Sequence, residues 1–167
     1  MKKWIAGLMV MVSLALAGCA GLTGPKTAAD GLDDSLIIVS VARAGAAADV
    51  GRGTLAPTKA KQVQAAADRA RAALVAAQIG IAATDGVTKV LAASDAVQEL
   101  RALSLSVSGL RPDGPIDAGS FEAALSVIDQ AREIRAAGGD VWGKLIALDD
   151  AQRTKLDAAL VPAGGGQ

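Results

Sequence analysis

The sequence predicts an all-α protein, a compact bundle of four to six helices, on three observations. Alanine is the commonest residue, with 38 in 167, and it is the strongest helix former because it loses no side-chain entropy. β-branched and aromatic runs are scarce, with Trp4, Trp142 and Phe121 the only aromatic residues. Apolar residues recur three and four apart over long stretches, the spacing of one helix face.

Taken in order, the chain opens with a three-part leader. Lys2 and Lys3 give a positive start, Trp4 to Leu16 is apolar apart from Gly7 and Ser13, and the small residues Ala17 and Gly18 lead to Cys19. That order describes a secretory signal over residues 1–18. The apolar run is shorter than the roughly 20 residues a bilayer span needs. Ala20 to Leu32, AGLTGPKTAADGL, mixes Gly, Pro, Thr and Asp. With Cys19 it forms a flexible tether, 19–32, spanning roughly 20 Å. The helical domain is expected over 33–161, and PAGGGQ at the end, 162–167, is expected to be disordered.

Within the domain the first helix is expected over about 34–50, capped by Asp33 or Asp34. LIIVSVARAGAAADV is apolar nearly all round, which points to burial among other helices, and Arg43 argues against a membrane span. Gly51-Arg52-Gly53 breaks it, and Pro57 suits the first turn of a second helix reaching about Ala83. Val63, Ala66 or Ala67, Ala70, Leu74, Ala77 and Ile81 form its inner stripe. Lys61, Gln64, Asp68 and Arg71 read as a solvated face, with Asp68 and Arg71 spaced to pair. After Asp85-Gly86 a third helix covers about 87–107, with Val90, Val97, Leu100, Leu103 and Val107 inward. Its end, LSLSVS, also alternates with period two, but a strand there has no evident partner. The break GLRPDGPIDAG precedes a fourth helix over about 120–137, with Phe121, Leu125, Ile128, Ala131 and Ile134 inward. Gly138-Gly139 ends it. Asp140 then caps a short segment holding Trp142, Leu145 and Ile146, and Asp149 with Gln152 has the spacing to start a last helix to Leu160.

Leu16-Ala17-Gly18-Cys19 resembles the lipobox of bacterial lipoproteins. The resemblance implies cleavage between Gly18 and Cys19 and lipidation of the Cys19 sulfur, with the new amino group acylated as well. Two or more acyl chains anchor stably where one is marginal. Ala20, with no Asp at that position, resembles the pattern of export to the outer membrane, with the domain on the periplasmic face. A second resemblance lies in Gly53 to Leu74, GTLAPTKAKQVQAAADRARAAL, which is similar to a helical hairpin segment of small alanine-rich phage and prophage proteins. It implies no catalytic residues. It raises the alternative of a phage-encoded lipoprotein acting in lysis or in exclusion of superinfecting phage.

The composition argues against several functions. From Cys19 onward 15 Lys and Arg face 17 Asp and Glu, and two aromatics remain, so no basic surface or stacking platform suits nucleic acid. Histidine is absent, which removes the usual general base and the commonest metal ligand. The lone cysteine is assigned to the anchor. Gly24-Pro25-Lys26-Thr27 lacks the upstream glycine of a phosphate loop. Asp33-Asp34 and Asp149-Asp150 are adjacent carboxylates, read as helix caps rather than as acid–base or metal pairs. Trp142 reads as a half-buried core residue rather than an anchor for a partner. The expectation is therefore a non-enzymatic, lipid-anchored envelope protein without cofactor or metal. It acts through an envelope protein partner, through a second copy of itself, or as a structural element.

Overall fold

A computed structural model of the chain describes residues 27–82, 86–108 and 118–161. The described residues are helical throughout apart from their connections, and no strand occurs among them. The five helices are α1 (Ala28–Gly51), α2 (Pro57–Ile81), α3 (Gly86–Ser108), α4 (Ala118–Ala137) and α5 (Val141–Leu160). None is long and apolar enough to cross a membrane.

α1 begins six residues earlier than the sequence reading placed it. Thr27 and Asp30 form a capping box: the Thr27 hydroxyl accepts from the Asp30 amide at 3.2 Å, and the Asp30 carboxylate accepts from the Thr27 amide at 2.8 Å. Two otherwise orphaned amides are satisfied reciprocally, with Asp in the place usually taken by Glu. Residues 28–32 are therefore helix rather than tether, and Asp33 and Asp34 lie inside α1 rather than at its cap. At the other end the Thr54 and Leu55 amides both donate to the Asp49 carbonyl, which folds the chain into α2. Pro57 occupies the first turn of α2 without a side-chain cap before it.

The period-two stretch from Leu103 to Ser108 is the last turns of α3. Leu103 is buried, Leu105 points outward, and the Ser106 hydroxyl donates to the Ala102 carbonyl at 2.9 Å. Gly138 and Gly139 close α4 with φ of +63° and +75°, a conformation that residues with a Cβ seldom adopt. Asp140 then caps α5 by accepting from the Gly143 amide at 2.9 Å. α5 runs unbroken through Asp149, where the sequence reading began a new helix. Nothing in Ala147-Leu148-Asp149-Asp150 breaks a helix, so the capping-box spacing there has no end to cap.

α1 runs through the middle of the bundle, with α2, α4 and α5 packed along it and α3 packed mainly on α2. Asp34 meets Arg135 and Asp49 meets Ser120, so α4 is antiparallel to α1. α5 is antiparallel to α2, since Gln64 meets Asp157 and Arg71 meets Asp150. The core combines Leu36, Val39, Val63, Leu74, Leu103, Leu145 and Leu156 with many alanines. The α2 stripe is buried as expected, with Ile81 at its edge.

Two stripes differ from expectation. α4 buries Ala124, Val127 and Ala131, while Phe121 and Leu125 are each 41% exposed. Ser120 and Arg135, near its two ends, bond to α1, and the spacing 120, 124, 127, 131, 135 defines one face. Polar anchors thus set the rotation of α4, about one residue away from its most apolar arc. In α3, Ala96 is buried and Val97 is half exposed, because α3 packs mainly on one neighbour and needs only a narrow stripe. The side chain of Val90 lies outside the described residues. Trp142 is half-buried against the core, the role its sequence context suggested.

Candidate functional site

Cys19 and Gly18, the residues expected to carry lipidation and cleavage, lie outside the described residues. Among the described residues, fully buried charge is concentrated around Arg43, where α1, α2 and α5 meet.

Arg43 is fully buried in the middle of α1. Its Nη1 donates to Gln64 Oε1 at 3.1 Å and its Nη2 to Asp68 Oδ1 at 3.0 Å, both on α2. Its Nε lies 3.1 Å from Asp149 Oδ1 on α5, misaligned for a hydrogen bond, so this third contact is one of charge. Asp149 is equally buried; it accepts from the Ser40 hydroxyl at 3.2 Å and lies 3.4 Å from Arg71 Nε. The cluster extends outward, as Arg71 pairs with Asp150 at 2.8 Å, Gln64 donates to Asp157 at 3.1 Å, and Arg153 lies 3.5 Å from Asp68.

This arrangement corrects three sequence-based readings. Asp149 and Asp150 do not cap a helix; Asp149 is buried mid-helix and Asp150 pairs with Arg71. Asp33 and Asp34 do not cap either, and Asp34 pairs with Arg135 across to α4. Gln64, Asp68 and Arg71 are not a solvated face: Gln64 is buried, and Asp68 and Arg71 pair with other helices rather than with each other. The missed residue is Arg43. Its signal was present, a lone guanidinium inside an apolar run, since a charge carried into a core must find partners there.

A smaller polar cluster joins the C-terminal end of α1 to α4. Asp49 accepts from Arg52 at 2.8 Å and from the Ser120 hydroxyl, and Arg52 donates to Ser120 at 3.0 Å. A Cβ on Gly119 would overlap the Arg52 guanidinium, so the glycine lets that side chain lie across the start of α4.

Burial pushes the Asp149 carboxyl above its ordinary value of 3.8. Arg43, Arg71 and the Ser40 hydrogen bond act against this, and Asp150 reinforces it. Burial also raises Asp33, opposed by Arg135 and helped by Asp30 and Asp34. A carboxyl raised in the folded state binds its proton more tightly there than in the unfolded chain. Its contribution to stability is present below 3.8 and is lost as pH rises through the folded value. Relative to Asp149→Asn, the wild type is therefore expected to gain stability as pH falls across the range just above 3.8. Urea unfolding of both proteins at several pH values checks this; Asp33 is common to both and cancels. A difference that is constant or shrinks toward acid would contradict it.

The arrangement is suited to holding helices. The three buried carboxylates among the described residues, Asp34, Asp49 and Asp149, each face an arginine, and Asp149 has no exposed surface through which to meet a substrate. Among the described residues no group of three or more His, Cys, Asp or Glu side chains could hold a metal ion. No protein-family model matches the chain, and neither a curated protein nor a solved structure matches it.

Proposed function

We propose that the chain is a lipid-anchored envelope protein without catalytic activity, acting through protein contacts or as a structural element. The observation that carries this reading is Leu16-Ala17-Gly18-Cys19 at the end of a short apolar run behind Lys2-Lys3. Acylated Cys19 is the first mature residue, and Ala20 favours the outer membrane, periplasmic face. The start of α1 supports a close tether. Only residues 20–26 separate Cys19 from the capping Thr27, a covalent reach of at most about 28 Å. An anchor there keeps the α1 N-terminal end of the bundle beside the bilayer. The pairing of the buried carboxylates to arginines supports a role without acid–base chemistry.

Replacing Cys19 by Ser tests the reading. The wild type is expected in the membrane fraction, labelled by radioactive palmitate and shortened by 18 residues; the variant is expected unlabelled and released by washing. Retention of Cys19→Ser in the membrane fraction would overturn the anchor. In-cell crosslinking of the native protein then separates the modes of action, with a reproducible envelope partner supporting an adaptor and self-crosslinks alone supporting an oligomeric structural role.

The alternative, a phage-encoded lipoprotein acting in lysis or superinfection exclusion, rests on the likeness of Gly53 to Leu74 to phage helical segments. It predicts altered lysis timing or phage sensitivity on deletion of the gene, and unchanged behaviour in both would remove it.

A further inference from the structure

The alanine-rich parts of the interior specify helix alignment poorly. Leu32 lies four residues from Leu36, Ala66 four from Ala70 and Ala73 four from Ala77, so parts of the α1 and α2 inner faces read nearly the same one turn along. At those positions a slip of one turn, about 5.4 Å, exchanges one apolar contact for another. The charged centre does not survive such a slip. Moving α1 by four residues puts Val39 or Ala47 in the place of Arg43. Moving α5 by four puts Leu145 or Arg153 in the place of Asp149, so Arg43 faces either no charge or a like charge. Moving α2 by four replaces Asp68 with Gln64 or Ala72. Only one alignment of the three helices gives the buried guanidinium all its partners at once.

We propose that the Arg43–Asp149 centre is a register key: it selects a single alignment of α1, α2 and α5 against one-turn slips, rather than supplying net stability. Buried ion pairs are poor sources of stability because desolvation offsets their attraction, and fixing register is the best-attested use of such groups. Most of the surrounding groups keep a partner when the key is removed, while Gln64 Oε1 gives up its Arg43 donor. Without Arg43 and Asp149, Asp68 keeps Arg153, Gln64 keeps Asp157, Arg71 keeps Asp150, and Ser40 keeps its 3.0 Å bond to the Leu36 carbonyl.

The test is the paired replacement Arg43→Met with Asp149→Leu in the full chain, purified in mild detergent and compared with wild type by circular dichroism and amide NMR. The expected result is unchanged helicity and an equal or higher melting temperature, together with duplicated or exchange-broadened amide signals in α1, α2 and α5. Signals of α4 should stay single, because Asp34–Arg135 and Asp49–Ser120 still pin it to α1. One sharp set of signals throughout would overturn the proposal, since the apolar surfaces would then be setting the register unaided. Loss of helicity would overturn it as well, because the centre would then be supplying stability.

Discussion

Replacing Arg43 alone by Met is expected to destabilise the domain by about 3–5 kcal/mol at neutral pH, the usual range for breaking a buried ion pair from one side. The substitution keeps much of the side-chain volume, so the loss comes from the partners left behind. Asp149 remains fully buried with only Arg71 at 3.4 Å and the Ser40 hydroxyl to hold its charge. Asp68 is less affected, because it is partly exposed and retains Arg153. With its nearest cation gone, the Asp149 carboxyl rises further above its ordinary value, and the variant recovers stability as pH falls through that raised value. Urea unfolding at neutral and mildly acidic pH checks both statements. A loss below about 1 kcal/mol at neutral pH would mean that the buried site relaxes around the missing charge.

The fold class and most helices were legible because they depend on local signals. Pro57, the Gly51-Arg52-Gly53 break, Gly138-Gly139 and the Asp140 cap act within a few residues of where they stand, and each bounds a helix as read. The α2 stripe was legible for the same reason: six positions at helical spacing leave one face for the core. The early start of α1 was also a local signal, Thr27 with Asp30 three residues on, but it lay in a stretch whose Gly and Pro content resembles a tether. Sequence periodicity could not settle which arc of α4 turns inward. Phe121 and Leu125 outweigh Ala124 and Val127 in apolar area, and the choice was made by Ser120 and Arg135 finding Asp49 and Asp34 on another helix. The charged centre was illegible in the same way. Ser40, Arg43, Gln64, Asp68, Arg71 and Asp149 span 110 positions of the chain, and no spacing rule relates partners that meet only through tertiary packing. What could be read was the anomaly itself, an arginine in an apolar helix, together with acids at Asp149 and Asp150 where nothing ends a helix. The anchor proposed at Cys19 rests on local sequence alone, because a signal read by processing enzymes is written within a few residues.

Replacing Leu74 by Ala is expected to destabilise the domain by about 3–4 kcal/mol, a large part of the 5–15 kcal/mol typical of a single domain. Leu74 is completely buried in α2. Its neighbours along the inner stripe are Ala70 and Ala77, one turn to either side, both buried. A leucine truncated in a core rich in long side chains is partly compensated when neighbours swing into the space. Alanine has no rotamer to swing, so the cavity stays open and the cost falls well inside the usual range of about 2–5 kcal/mol. The same poverty of large side chains means that a few leucines and valines supply most of the apolar burial, which makes each of them harder to replace. Ile79, five residues further along the same helix and 70% exposed, is the matched control: Ile79→Ala is expected to change stability by less than about 0.5 kcal/mol. With a urea slope of about 1.5–2 kcal/mol/M, Leu74→Ala lowers the midpoint by roughly 2 M while leaving the slope unchanged. A small shift for Leu74→Ala, or equal shifts for both variants, would mean that the bundle closes around the missing side chain. Close approach of the alanine-lined helices would then be softer than their packing around α1 implies.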